Sequence, residues 1–386
     1  MKIPTDRLSE NFFAVLNSKI AQLKATGKDI IRLDIGSPDM PPADHIIAAL
    51  SNTAIRPDSH GYQPHRGTDA LRNAWAGMYK RLYGIILDPE DVVPLLGSKE
   101  GVFHLSIAVL NPGDVVLVPD PGYQTYTQSA HFAGAETVQI PLQSDNHYLP
   151  DFSKISAKIT RHAKLLWLNY PNNPTAAVAS LDFFAEAVAF CRQHGILLCH
   201  DAAYTQVTYD GYRAPSILEV QGATEVAIEF NTLSKSHNMA GWRVGAAFGQ
   251  RNTLDALLRL KTHADSGHFL GITDAAIAAL NCDQDWLVAR NLVYQKRRDL
   301  VVEALKEMGF TPEPVQASLY VWFPTPPGWN SDTFVLDLLN RVHVSLAPGS
   351  IFGQGGRNHV RLSLTQPLDR LETAMQHLRN WLGNQD

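Results

Sequence analysis

LLWLNYPNNPT (165–175), ILLCHDAAY (196–204) and AIEFNTLSKSHNMAGWRVGAAFG (227–249) decide the fold. Each opens on a nearly continuous apolar run, as a strand buried on both faces requires, and then breaks into polar residues. Between the first two, Leu181-Asp-Phe-Phe-Ala-Glu-Ala-Val-Ala-Phe-Cys191 has helical spacing, with Phe184, Val188 and Cys191 on one face. Ser180 can cap its first turn and Gly195 can end it. Strands alternating with helices in this way predict a mostly parallel sheet covered by helices. Working outward, VVLVP (115–119) reads as another strand, and VGAAFG (244–249) as the last of the five runs. A helix begins at Ser98, turns Val102, Leu105 and Val109 inward, and stops at Asn111-Pro112-Gly113.

The flanks have a different grain. An amphipathic helix runs from about Ser9 to Gly27, followed by the extended IIRLDIGSPD (30–39). After Gly271, helical stretches lie around Ala275 to Leu280 and Trp286 to Met308, and residues 318–324 and 359–364 alternate like antiparallel strands. The fold class is therefore α/β, a large domain joined to a smaller α+β domain. The expected division is an N-terminal arm and part of the small domain over 1–45, the large domain over 46–275, and the small domain over 276–386.

Composition removes several classes of function. Of 386 residues, 45% are hydrophobic and 18% charged, which excludes a disordered chain. Thirty-three Lys and Arg against 38 Asp and Glu leave a net charge of -5, so bulk charge does not point to nucleic acid. No apolar run reaches the ~18 residues that span a bilayer, and the opening MKIPTDRLSENFF is too polar for a signal peptide. A cytoplasmic protein without a membrane or nucleic-acid partner is expected, and three cysteines build no disulfide framework.

Ligands of open α/β sheets collect at the carboxyl ends of the strands. There this sequence places Asn169, Asn173 and Pro174, then Asp201 and Tyr204, then Ser234, Lys235 and Arg243. Singly, these are a turn, a cap and solvated charges. Jointly, an amine, an acid, a phenol and an arginine are what pyridoxal 5'-phosphate needs. Lys235 is the amine for its aldehyde, with a pKa lowered by nearby cations and partial burial. Asp201 is the carboxylate for the ring nitrogen, and Tyr204 and Asn173 are donors to the ring oxygen. Arg243, Ser234 and the helix start at Ser98-Lys99 hold the phosphate, and Tyr123 stacks on the ring. Lys99 competes with Lys235 as the amine, but its place at a helix start assigns it to phosphate or substrate contact. No metal is expected: Cys191, His194, Cys199 and His200 are divided between a helix and opposite faces of a strand. Neither GxGxxG nor GxxxxGK[ST] occurs.

The sequence resembles the class I/II aminotransferases of the aspartate aminotransferase fold (fold type I). Asn169-Tyr-Pro-Asn-Asn-Pro-Thr175, Asp201-Ala-Ala-Tyr204, Ser234-Lys235 and Gly241-Trp-Arg243-Val-Gly245 carry the resemblance, in order, and it extends from Gly36 to Arg361. It implies a seven-stranded sheet and Lys235 as both Schiff-base amine and proton carrier. It also implies Arg361 gripping the substrate α-carboxylate with help from the Gly36 backbone, and Tyr62 reaching the phosphate of a neighbouring subunit in a homodimer with shared active sites. The substrates would be an amino acid and a 2-oxo acid. Gly97-Ser-Lys-Glu-Gly101, Asp120-Pro-Gly-Tyr-Gln-Thr-Tyr126 and Ala347-Pro-Gly-Ser350 are most similar to the LL-diaminopimelate aminotransferase-like branch, which uses 2-oxoglutarate. Aspartate, alanine or broad specificity, and a C–S β-lyase on the same fold, remain alternatives, as does a regulatory protein without turnover. The sequence departs from the pattern at Ala176, where the family has Gly, and at Asn11-Phe12-Phe13, where the branch has a tyrosine. It departs again at Gly355-Gly-Arg357-Asn358, where Arg357 is expected to face water. His263 and His268 either border the partner's pocket or are polar loop residues.

Overall fold

The computed structural model describes residues 12–282 and 284–383. Among the described residues twelve strands are formed: β1 Ile31–Arg32, β2 Val92–Leu95, β3 Val115–Asp120, β4 Glu136–Pro141, β5 Ala163–Leu168, β6 Leu197–Asp201, β7 Ala227–Thr232, β8 Gly245–Gly249, β9 Tyr320–Pro324, β10 Val344–Ser345, β11 Ala347–Pro348 and β12 His359–Ser363. Seven make the large sheet, in the order β2-β8-β7-β6-β5-β3-β4, and β8 alone runs antiparallel to its neighbours.

Strand alternation divides the large core into two layers. Leu166, Leu168, Leu198 and Ala227 face one layer, with Trp75, Tyr79, Phe184 and Val188. Leu165, Trp167, Cys199, Ile228 and Phe230 face the other, with Val102, Leu105, Tyr126 and Leu257. The helix Leu181–His194 begins as expected: the Ser180 side chain accepts from the Phe183 amide, and Gly195 closes the end in the left-handed conformation. The helix Ser98–Val109 follows Gly97 and sits in the second layer.

Both strands that escape an apolar-run search lie at the sheet edges. β4 is largely solvent-facing, and β2 is four residues long with Pro94 inside it. An edge strand such as β4 needs no second apolar face, whereas β2 is apolar and buried but short, with a proline that an edge strand tolerates because it need not use every amide.

A third core belongs to the C-terminal region, where β11, β12 and β9 form an antiparallel sheet as the alternation at 318–324 and 359–364 requires. β1 pairs in parallel with β10, so the chain near residue 31 is built into this region. The helices Asp285–Glu307, Ser331–Val342 and Leu368–Gly383 cover it.

Candidate active site

The end of β6 illustrates how alternation assigns roles. Asp201 shares a strand face with Cys199 and meets Tyr126, whose hydroxyl donates to Oδ2 at 2.8 Å. His200 points to the opposite layer, where Nδ1 donates to Glu229 Oε2 at 2.8 Å and Nε2 lies 3.0 Å from the Tyr170 carbonyl. Cys191 and Cys199 fall in opposite layers, so those residues do not assemble around one ion. Asp201 Oδ1 is buried without a hydrogen-bond partner. Burial raises the carboxyl's pKa, opposed by the Tyr126 bond and by the His200 and Lys235 charges.

β7 runs into a one-turn helix, Leu233–Ser236, that presents Ser234 and Lys235. Lys235 Nζ donates to the Gly36 carbonyl at 2.5 Å. Burial depresses the amine's pKa, and the Arg361 and Arg243 guanidinium groups push the same way. Tyr320 and Asp201 oppose them and do not prevail. A lysine free of its proton is a nucleophile and a base.

Near Lys235 lies an anion cradle. Arg243 Nη1 donates to the Ala240 carbonyl at 2.8 Å and, at 3.4 Å, to Ser234 Oγ. Gly97 has φ +81, which favours glycine, and a Cβ there would lie 2.3 Å from Arg243 Nη2 and displace the guanidinium from its place against the helix start. The first amides of the 12-residue helix from Ser98 find no carbonyl within it and suit an anion. Lys99 is exposed beside them.

A second cationic group also acts on Lys235. Arg361, 5% exposed, donates from Nη1 to Asn173 Oδ1 and from Nη2 to the Asp34 carbonyl, both at 2.8 Å. Its guanidinium lies 4.1 Å from the Tyr320 ring centroid and 4.8 Å from that of Phe352. Asn173 is held in turn, its amide donating to Asn169 Oδ1 at 2.8 Å while Asn169 Nδ2 donates to the Asp201 carbonyl at 2.7 Å.

Tyr204 and Tyr320 share a hydrogen bond of 2.8 Å between their hydroxyls. Tyr320 is the more acidic: burial raises its pKa, but Arg361, Lys235 and the Tyr204 hydroxyl outweigh burial and lower it. Tyr204 is pushed up by burial and by its neighbour. A Cβ on Gly36 would lie 1.9 Å from the Tyr320 hydroxyl, which explains a glycine in IIRLDIGSPD.

Lys235, Asp201, Tyr204, Asn173, Ser234, Arg243, Arg361, Gly36 and the Ser98 helix start thus converge. Tyr123 lies edge-on to Tyr126, with ring centroids 5.6 Å apart. Tyr62 is 96% exposed and has no place in the cluster of a single chain. Sequence reading did not assign a role to Tyr126 or Tyr320. Tyr126 stands in the quoted stretch 120–126, in the first turn of the helix Thr125–Phe132, and Tyr320 opens a strand read only as alternating. Nothing in either pattern tells which phenol turns inward. Arg357 is exposed, as expected. His268 lies in the loop 265–269 and is buried there: it is 8% exposed, and Nε2 donates to the Arg243 carbonyl at 2.7 Å. Ala176 adopts φ +61, where glycine is unstrained, and buries its methyl in the C-terminal core. The Asn11-Phe12-Phe13 side chains lie outside the described residues.

A profile of the family described as Aminotransferase class I and II matches residues 28–378. This chain belongs to that family. An LL-diaminopimelate aminotransferase of Dehalococcoides mccartyi is 45% identical over 97% of both chains, and one of Desulforudis audaxviator is 47% identical over 96% of this chain and 95% of its own. Among solved structures, substrate-bound BacF from Bacillus subtilis superimposes with a TM-score of 0.95 at 36% identity, over 99% of this chain and 98% of the other. A Thermus thermophilus aspartate aminotransferase mutant gives 0.92 at 26% identity, over 98% and 99%. The α/β architecture with its large, mostly parallel sheet is that of the fold type I aminotransferases.

Proposed function

We propose that this aminotransferase binds pyridoxal 5'-phosphate at the site above. In this reading it moves an amino group from an L-amino acid, LL-diaminopimelate, to a 2-oxo acid, 2-oxoglutarate. The observation that carries the cofactor assignment is Asp201 Oδ1, a buried carboxylate oxygen without a donor at the end of β6. Such an oxygen fits the protonated ring nitrogen, and the Arg243 cradle fits a phosphate. When bound, the group supplies an electron sink for negative charge developing at the substrate's Cα.

The protein's own residues do the rest. Asp201 holds a positive charge on the ring nitrogen, and Tyr126 holds Asp201. Arg243, Ser234 and the Ser98 amides bind phosphate. Asn173 and Tyr204 donate on the ring-oxygen side, with Tyr123 against the ring face. Arg361 orients the substrate by its α-carboxylate through a two-pronged contact, with the Gly36 backbone beside it. Lys235, its pKa depressed, takes the proton from the substrate Cα.

Support for LL-diaminopimelate comes from the relatives at 45% and 47% identity, which carry that name. A homodimer with shared sites is supported by Tyr62, a large phenol left 96% exposed. The test is a panel of amino donors with 2-oxoglutarate. Glutamate formation fastest with LL-diaminopimelate supports the reading. Preference for aspartate or alanine overturns the substrate, and acceptor-independent release of pyruvate and ammonia overturns the reaction.

A further inference from the structure

The anion cradle is assembled from two stretches far apart in sequence, the turn at Leu96-Gly97-Ser98 and the turn at Arg243. Both are fastened to one segment, residues 261–269. Lys261, 2% exposed on the helix Arg251–Ala264, donates to Glu100 Oε1 at 2.8 Å and also to Asp265. The other oxygen of Glu100 accepts from the Leu96 amide, which pins the turn ahead of the helix. Three residues beyond Asp265, His268 Nε2 donates to the Arg243 carbonyl at 2.7 Å. Arg243 has φ +59, a left-handed conformation that a side chain other than glycine adopts at a cost. Something must hold it there, and the buried imidazole does so from outside the turn. The segment reaches further: His65 Nδ1 donates to the Asp265 carbonyl at 2.7 Å, and the His60 ring stacks on Phe269 with centroids 5.5 Å apart. The loop bearing Tyr62 therefore rests on the same strut.

We propose that His268 is a positioning residue for the cofactor phosphate. It holds the Arg243 carbonyl so that the left-handed turn aims the guanidinium at the anion, and the strut it belongs to fixes the opposite jaw through Lys261 and Glu100. This rests on the pyridoxal 5'-phosphate reading above. The imidazole donates through Nε2 to a carbonyl as a neutral ring; burial keeps its pKa low, with Lys261 and Arg243 acting the same way. Glu100 is the facing group that favours its protonation, together with the carbonyl it serves.

The test titrates the full-length protein, by absorbance and fluorescence, with pyridoxal 5'-phosphate and with pyridoxal, which lacks the phosphate. His268→Leu is expected to weaken the phosphate-bearing ligand about tenfold, the loss of one buried hydrogen bond, and to leave pyridoxal affinity unchanged. His268→Gln, which restores an amide donor, is expected to recover most of the loss. Should His268→Leu not fold, His268→Phe keeps the ring volume without the donor and carries the same comparison. Equal weakening of both ligands, unchanged binding of the phosphate-bearing one, or no recovery with glutamine overturns the inference. Failure of the unmodified protein to bind pyridoxal 5'-phosphate overturns the functional reading itself.

Discussion

Replacing Tyr126 by phenylalanine removes one oxygen and leaves the packing intact. The ring stacks on Trp167 with centroids 4.7 Å apart and planes 8° from parallel, contacts that phenylalanine retains. What disappears is the 2.8 Å donation to Asp201 Oδ2. Hydrogen bonds to charged groups contribute about 1.5–3 kcal/mol. Carried into the reaction, that is roughly a ten- to hundredfold loss of kcat, since each ~1.4 kcal/mol is a factor of ten. The pH dependence follows in sign. Burial already raises the Asp201 pKa, and the Tyr126 bond is the largest influence lowering it. Its loss raises the pKa further, so the ionised carboxylate that activity requires appears only at higher pH. The acid limb of the kcat profile should move toward neutrality. Steady-state rates of 2-oxoglutarate-dependent transfer across the acid range read both effects. Wild-type kcat with an unmoved acid limb would refute the idea that Tyr126 sustains the charge on Asp201. In the cofactor-free protein, an Asp201 pKa raised by folding contributes stability that is fully present below the ordinary carboxyl pKa and is lost as pH rises through the shifted value. Tyr126→Phe should enlarge that loss, visible as a Tm that falls further below the wild-type value at neutral than at acid pH.

Lys235→Ala should abolish transfer, and borohydride treatment of the loaded wild-type protein should fix the cofactor on the peptide containing Lys235; label on the Lys99 peptide instead would move the amine. Arg361→Lys keeps the charge but loses the fork that now meets Asn173 and Asp34, so KM for the amino donor should rise by about tenfold or more while pyridoxal 5'-phosphate affinity holds. An unchanged KM would remove Arg361 from substrate binding. Ser180→Ala deletes a helix cap remote from these groups and should cost about 1 kcal/mol of stability without altering kcat, and an unchanged denaturation midpoint would count against the cap.

The central strands and their helices were legible in the sequence because burial on both faces leaves nearly unbroken apolar runs, and because Ser180 and Gly195 mark helix ends by their own chemistry. The edge strands were not: β4 has a solvent-facing side and needs no such composition, and β2, though buried, is only four residues long and broken by Pro94. At the site, Lys235, Asp201, Tyr204 and Arg243 were legible because they gather at the ends of successive strands, and Arg361 through the resemblance to the family. The sequence also carries the opposite-face logic that separates Cys199 from His200.

Only the tertiary structure decided which phenols turn inward. Tyr126 reaches Asp201 across 75 positions of sequence, and Tyr320 meets Tyr204 across 116. His268 and Lys261 became parts of a strut only when the helix Arg251–Ala264 folded back onto the cradle. Local patterns register the burial and turns of neighbouring residues. A hydrogen bond between distant segments depends on where whole elements pack, and that leaves no period or spacing along the chain to read.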